Sequence, residues 1–456
     1  MTLTASSPKQ KKFPLGPKTP ALIQTINNLF NPFKSLEFNY QKYGDIYHTK
    51  IIGNPNLVVL SNPKAIQEVF TAKPYLFEIG KGNSIMKPLL GEKSLLLLDG
   101  EQHAKTRKLL MPPFHGERMK FYGQIIIDTT KDTLSRWEID KPLILRKYTQ
   151  EISLKVIIKT VFGINKGEKY ERLIELFKSW LDIFNSPLKS AFLSFPWLQH
   201  DWGGLTFWSK FLREKNLIHQ ILTEEINERR KADKLTGEDI LSLMLSVKDE
   251  DGKPMKDEEI RDELITILFT GHETTASSIA WAFYWIHYLP EVKEKLLAEL
   301  KEIDDFSDTN AITKLPFLSA VVAETLRINP PILFAFSRKL KEPYSMMGYN
   351  FPSGTIFMPS IYLTHYREDI YPEPKKFKPE RFLARQFSPY EYFPFGGGNR
   401  HCLGSVFALF QIKLVIATIL SQVELQLLDK YPLKPSRRGV LFTPSGGVKM
   451  ALKATA

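Results

Sequence analysis

The segment from Lys256 to Leu289 constrains this chain more than any other. It opens on Asp257, Glu258 and Glu259, acids that suit the positive end of a helix, and stops at Pro290, which has no N–H to carry the helix on. Its 34 residues predict a helix of about 50 Å, long enough to cross a large domain. It is apolar on nearly all sides, so the rest of the chain must wrap around it. The 456 residues, 43% of them apolar, are sufficient for that core. Helical periodicity dominates from Gly100 to Leu300, whereas the first part alternates helical patterns with short β-like runs at Asp45–Ile52 and Leu57–Leu60. Tyr349–Gly354 reads as hairpin-like, and Arg438–Lys453, turning at Ser445-Gly446-Gly447, as a last hairpin. The expected fold is mainly α with small β-sheets: a polar extension over residues 1–20, then one large domain over 21–456.

Composition excludes several functions. Cys402 is the only cysteine, which removes internal disulfides, multi-cysteine zinc sites and iron–sulfur clusters. The longest apolar run, Val406–Leu420, is interrupted by Gln411 and Lys413 and reads as a core helix; Met1–Lys12 is polar and lacks a signal-peptide stretch. A cytoplasmic protein without a transmembrane anchor is expected. The net charge of +12 is spread along the chain with acids interspersed, which argues against nucleic acid and for an acidic protein partner or a membrane surface.

The chemistry concentrates around the thiol. Phe395-Gly396-Gly397-Gly398-Asn399-Arg400-His401-Cys402-Leu403-Gly404 is a glycine-dense loop that delivers Cys402 to the start of a helix. A lone cysteine is ordinarily a small buried hydrophobe. Here the glycines free the backbone to bend around the sulfur, and the following helix favours thiolate over thiol. Such a thiolate is either a nucleophile or a metal ligand. No Gly-Lys-Ser/Thr follows, so a phosphate loop is excluded.

This loop resembles the haem-binding signature of the cytochrome P450 family at Phe395, Gly398, Arg400, Cys402 and Gly404. The resemblance implies haem b, with the Cys402 thiolate as axial ligand pushing electron density toward O–O cleavage. Other segments extend it. Glu324-Thr325-Leu326-Arg327 resembles the family's Glu-x-x-Arg, and Phe377–Phe382 its loop, so Glu324, Arg327 and Arg381 are implied to share one structural ion cluster. Gly271, Glu273 and Thr274 resemble the oxygen-activation motif, implying Glu273 and Thr274 as a proton relay; Thr270 departs from the family's usual Ala or Gly. Ala276 stands where a zinc helix would need its second His. His103, Arg107, Arg338 and Arg400 match propionate-binding positions.

Positions similar to the family's substrate-facing regions are Ile85, Met86 and Leu89, Phe269 and Thr270, Ile332, Leu333 and Phe334, and Val440 and Leu441, with Lys81, Lys87 or Arg438 near the mouth for a carboxylate. That apolar lining favours a fatty acid, alkane or terpenoid. Phe192–Leu198 reads as an access lid touching lipid, or as a segment packed inward. The resemblance implies a monomeric monooxygenase of the soluble bacterial type, close to cyanobacterial fatty-acid hydroxylases. It would use O2 and electrons from a separate ferredoxin or flavodoxin with its reductase, docking near Lys105, Lys108, Lys375, Lys376 and Lys413. The competing readings are a peroxide-driven haem-thiolate hydroxylase and a non-catalytic haem protein.

Overall fold

The computed structural model describes residues 13–455 apart from 115, 117, 165–166, 184–197, 202–203, 205, 232–236 and 430. They form two compact units: Met1–Asn83 with Ile332–Lys376 and Phe387–Cys402, and Ser84–Pro331 with Phe377–Gln386 and Leu403–Ala456.

In the first unit the strands Ile46–Ile51, Asn54–Leu60, Ile356–Pro359, Arg338–Leu340 and Phe77–Glu78 lie in that order in one sheet. The first two pair antiparallel with Ile46 opposite Leu60. Leu57 to Leu60 are all buried, because that strand has a neighbour on both sides. Asn62 starts the next helix, Pro63–Thr71, its Oδ1 accepting the Lys64 amide at 2.9 Å. The helix buries Ile66, Val69 and Phe70 in a cluster with Val58, Leu60, Phe351 and Phe357.

The packed chain begins earlier than the expected boundary at residue 21. Pro14 is buried, the Phe13 ring contacts His48 and Phe351, and Leu15 accepts the His48 amide at 2.9 Å. The polar composition of residues 1–20 hid this, because the contacts are made by the few apolar residues and the backbone.

The second unit is built on the long helix, Asp257–Tyr288, of 32 residues. Glu259 accepts the Lys256 amide at 2.9 Å and closes its N-terminus, and the chain leaves it just before Pro290. It packs against the helices Leu145–Phe162 and Ser405–Gln422. Gly271 sits where a Cβ would come within 2.4 Å of Ile157 Cδ1. The glycine thus serves close helix packing and introduces no break. Among the described residues only Ser405–Gln422 is long and apolar enough to cross a membrane, and 67% of it is buried in the protein.

The last hairpin differs from the expectation. Pro435–Arg438 pairs with Leu441–Pro444 around Gly439, whose φ is +60°. Ser445–Gly447 is instead a 3-10 turn leading into Lys449–Thr455, which joins Pro142–Ile144 and Val423–Leu427 in another sheet. Two glycine turns lie close together in sequence, and only the long-range pairing decides which one closes the hairpin.

Candidate functional site

The cysteine loop belongs to the first unit. Gly396 and Gly398 have φ of +69° and +64°, a region that costs a side chain energy. Gly398 is also sterically fixed, since a Cβ there would lie 2.5 Å from the Phe70 carbonyl oxygen. Gly397 lies against the Phe70 ring in the same way. The loop closes on itself where the Cys402 amide donates to Phe395 O at 3.0 Å and the His401 amide to Gly398 O at 3.1 Å. Upstream, buried Phe393 meets Phe70 edge-on and donates its amide to His365 Nε2 at 3.1 Å. Cys402 is left exposed on this frame, three residues before the helix Ser405–Gln422.

Two buried guanidiniums stand at the same loop. Arg338, 2% exposed, donates to Phe336 O at 2.6 Å and Gly397 O at 3.1 Å, and lies 5.7 Å from the Phe70 ring centroid. Burial, and then repulsion from Arg400, push its pKa down to about 9. No carboxylate pairs with Arg338 among the described residues. Arg400 is itself buried. A buried cation held only by carbonyls beside a second cation fits an anionic group.

In the second unit the long helix opens to solvent-accessible space in its middle: Thr270 is exposed and Thr274 partly so, between turns that are buried. Both hydroxyls bond back along the helix, Thr274 to Thr270 O at 2.9 Å and Thr270 to Thr266 O at 2.7 Å. Phe269 meets Trp180 edge-on at 6.1 Å, and Trp180 stacks on Phe211. Glu273 points to the helix Leu145–Phe162. There Arg146 donates to it at 2.6 Å and Gln150 also donates. Arg146 and Gln150 lie more than 120 residues upstream, and no sequence pattern marks them. His103 and Arg107 share one face of the helix Gly100–Leu110, with His103 buried.

Glu324, Arg327 and Arg381 meet in one ion cluster. Glu324 and Arg327 are both 0% exposed, with Arg327 Nε and Nη2 on the carboxylate at 2.7 and 2.8 Å. Arg381 Nε adds a third contact at 3.1 Å. A fourth is the Lys378 amide at 2.9 Å, a backbone donor that a motif of side chains cannot reveal. Phe377 stacks on Trp285 at 5.0 Å, fixing the loop to the long helix.

The apolar candidates divide. Ile85 and Val440 of the second unit and Ile332 of the first are exposed, and Met86, Phe269, Leu441 and Phe334 partly so. Leu89 and Leu333 are buried and act as core. Phe192–Trp197 lie outside the described residues. Of the expected docking lysines, Lys105, Lys108 and Lys376 form ion pairs with Glu101, Glu250 and Glu373. Lys413, expected at the docking face, is instead partly buried and donates to Thr313 O at 2.7 Å, because it lies on the inner side of an otherwise apolar helix. Lys375 is exposed.

With this geometry in place, the cytochrome P450 family profile matches residues 14–450. The chain belongs to that family. The protein named cytochrome P450 135B1 in Mycobacterium tuberculosis is 32% identical over 443 residues, 97% of this chain and 92% of its own length. Cytochrome P450 135A1 of the same species is 32% identical over 89% of this chain and 87% of its own length. The solved structure of retinoic acid bound cyanobacterial CYP120A1 superposes with a TM-score of 0.84 at 24% identity, covering 98% of this chain and 100% of that one. The heme domain of cytochrome P450DA gives the same TM-score at 21% identity, over 97% of this chain and 98% of that one.

This cytochrome P450 is therefore a monooxygenase that uses haem b, with Cys402 as axial thiolate, and draws on O2, an organic substrate and a redox partner. The exposed sulfur on a clamped glycine loop fits the ligand role, and the Arg338–Arg400 pair fits the propionates. When bound, a haem held by thiolate supplies cleavage of the O–O bond.

Proposed function

We propose that this cytochrome P450 hydroxylates an unactivated C–H bond of a lipophilic molecule, a fatty acid, alkane or terpenoid, in the cytoplasm, with electrons from a separate ferredoxin or flavodoxin and its reductase. The reading takes the packed chain from Phe13 onward, matched by the family profile over residues 14–450, as the catalytic domain. The observation that carries it is the hydroxylated opening in the long helix: Thr270 and Thr274 stand accessible where the turns on either side are buried. Phe269, partly exposed, supplies apolar surface beside it and is backed by the buried Trp180–Phe211 pair. The retinoic acid in the cyanobacterial relative is a lipophilic carboxylate of the proposed class.

Within this reading Thr274 holds the proton-donating hydroxyl. Glu273 supplies it only after leaving Arg146 and Gln150, so the ion pair gates proton delivery. His103, Arg107, Arg338 and Arg400 hold the propionates, and Phe395 and Gly398 shape the thiolate loop. Glu324, Arg327 and Arg381 are structural. Ile85, Met86, Phe269, Thr270, Ile332, Phe334, Val440 and Leu441 contact substrate. Lys375 offers an unburied cation to an acidic electron carrier.

The test is a spectral binding screen of fatty acids, alkanes and terpenoids on the holoenzyme, followed by turnover with ferredoxin, reductase and reductant. Hydroxylated product that requires the reductant is expected. Turnover with peroxide alone, undiminished in Thr274→Ala, would replace this reading with a peroxide-driven one.

A further inference from the structure

The helix Ala21–Phe30 has its polar side inward and its apolar side outward. Gln24, 4% exposed, donates to Thr19 O at 2.7 Å and accepts from Thr49 Oγ1 and the Lys50 amide, both at 2.9 Å. Thr25 accepts the Ile52 amide at 3.0 Å, and Asn28 accepts from Ser35 at 2.7 Å. The polar residues thus fasten the helix to the strand Ile46–Ile51 and to the helix Pro32–Tyr43 that follows. Leu22, Ile23, Ile26, Leu29 and Phe30 are left between 44 and 73% exposed. At one turn per 3.6 residues these positions fall within an arc of about 120°. A helix on a protein surface ordinarily turns such a stripe to the core. Exposed Ile52, tied to this helix through its amide, and Phe38 on the following helix add to the apolar surface.

The charge around the stripe has one sign. The helix itself carries no charged residue, with Lys18 before it and Lys34 after it. Lys18, Lys34, Lys42 and Lys50 make no ion pair among the described residues, and Lys42 lies 5.5 Å from the ring centroids of Phe38 and Tyr43. The acids of the same stretch are engaged elsewhere. Asp45 pairs with Arg367 at 3.0 Å, and Glu37 accepts from the Tyr362 hydroxyl at 2.6 Å.

We propose that this face docks on a bilayer surface containing anionic lipid. The aliphatic stripe would enter the boundary between headgroups and acyl chains, and the lysines would reach the phosphates. A second copy is a poorer occupant, because a two-fold contact would set one lysine rim against the other. The proposal does not depend on which lipophilic molecule the enzyme oxidises.

The experiment is flotation of the holoenzyme with vesicles of phosphatidylcholine, alone or mixed with phosphatidylglycerol, alongside size-exclusion chromatography. Binding to the mixed vesicles that weakens with salt is expected. The exposed triple variant Leu22→Ser/Ile26→Ser/Phe30→Ser should keep its carbon monoxide spectrum and melting temperature but bind at least roughly tenfold more weakly. Lys18→Glu/Lys34→Glu should lose the preference for anionic vesicles, and Leu383→Ser, exposed elsewhere in the chain, should change nothing. Absence of vesicle binding would overturn the proposal, as would unchanged binding by the triple variant. So would a dimer in solution that the triple variant splits, which would assign the face to self-association.

Discussion

The surroundings of Cys402, Thr274 and Glu273 set what each side chain can do in the proposed reaction. Cys402→Ser should fold, since the loop is held by backbone bonds and by Phe70, yet lose the carbon monoxide difference band of thiolate ligation. Persistence of that band would remove Cys402 as the ligand. Thr274→Ala takes away a hydroxyl that bonds, among the described residues, to Thr270 O alone, at little cost to the helix. Substrate binding should survive while electrons are diverted to peroxide, so the ratio of product to reductant consumed should fall severalfold. The loop around Cys402 was legible in the sequence because its glycines answer to local geometry. Arg146 and Gln150 were not, because what selects them is the position of a neighbouring helix.

At the scale of elements, carboxylates decide how loops meet helices. Removing Glu324 leaves Arg327, at 0% exposure, without its counter-charge, so Glu324→Ala should cost about 3–5 kcal/mol in chemical denaturation. The long helix also holds the loop that precedes Gly100: Asp262 accepts the Lys93 amide at 3.0 Å and Glu263 the Leu95 amide at 2.6 Å. Glu263 is 1% exposed, and burial raises its pKa well above the usual range. Folding therefore takes up a proton once the pH exceeds about 4.3, the ordinary glutamate value. The favourable contribution is complete below that value and is lost as pH climbs toward the raised one. Glu263→Gln keeps an oxygen for the Leu95 amide without the titration. Its melting temperature should fall less than the wild type's between about pH 5 and pH 8, and parallel curves would show that Glu263 does not titrate there. Asp262 is raised in the same direction by burial and leaves a residual slope in the variant.

Over the whole molecule, the mainly helical architecture was readable because the long helix and the apolar Ser405–Gln422 helix announce themselves by length and composition. The last sheet was misread because strand partners far apart in sequence leave no local mark, and the Gly439 and Gly446 turns look alike beforehand. Charge also acts at this scale. With a net +12, association with an acidic electron carrier should slow as salt rises, and stopped-flow reduction at several ionic strengths measures that slope. A rate independent of salt would point to a carrier recognised by apolar contact.

The neighbouring guanidiniums of Arg338 and Arg400 carry this further. Burial and the neighbouring Arg400 disfavour the Arg338 cation, so an anion bound at that corner would stabilise the fold. Pigment supply and protein lifetime should therefore be linked in the cell. Chains made during iron starvation should be cleared by proteases faster than those made in plenty, with Arg338→Met narrowing the difference in a pulse-chase measurement.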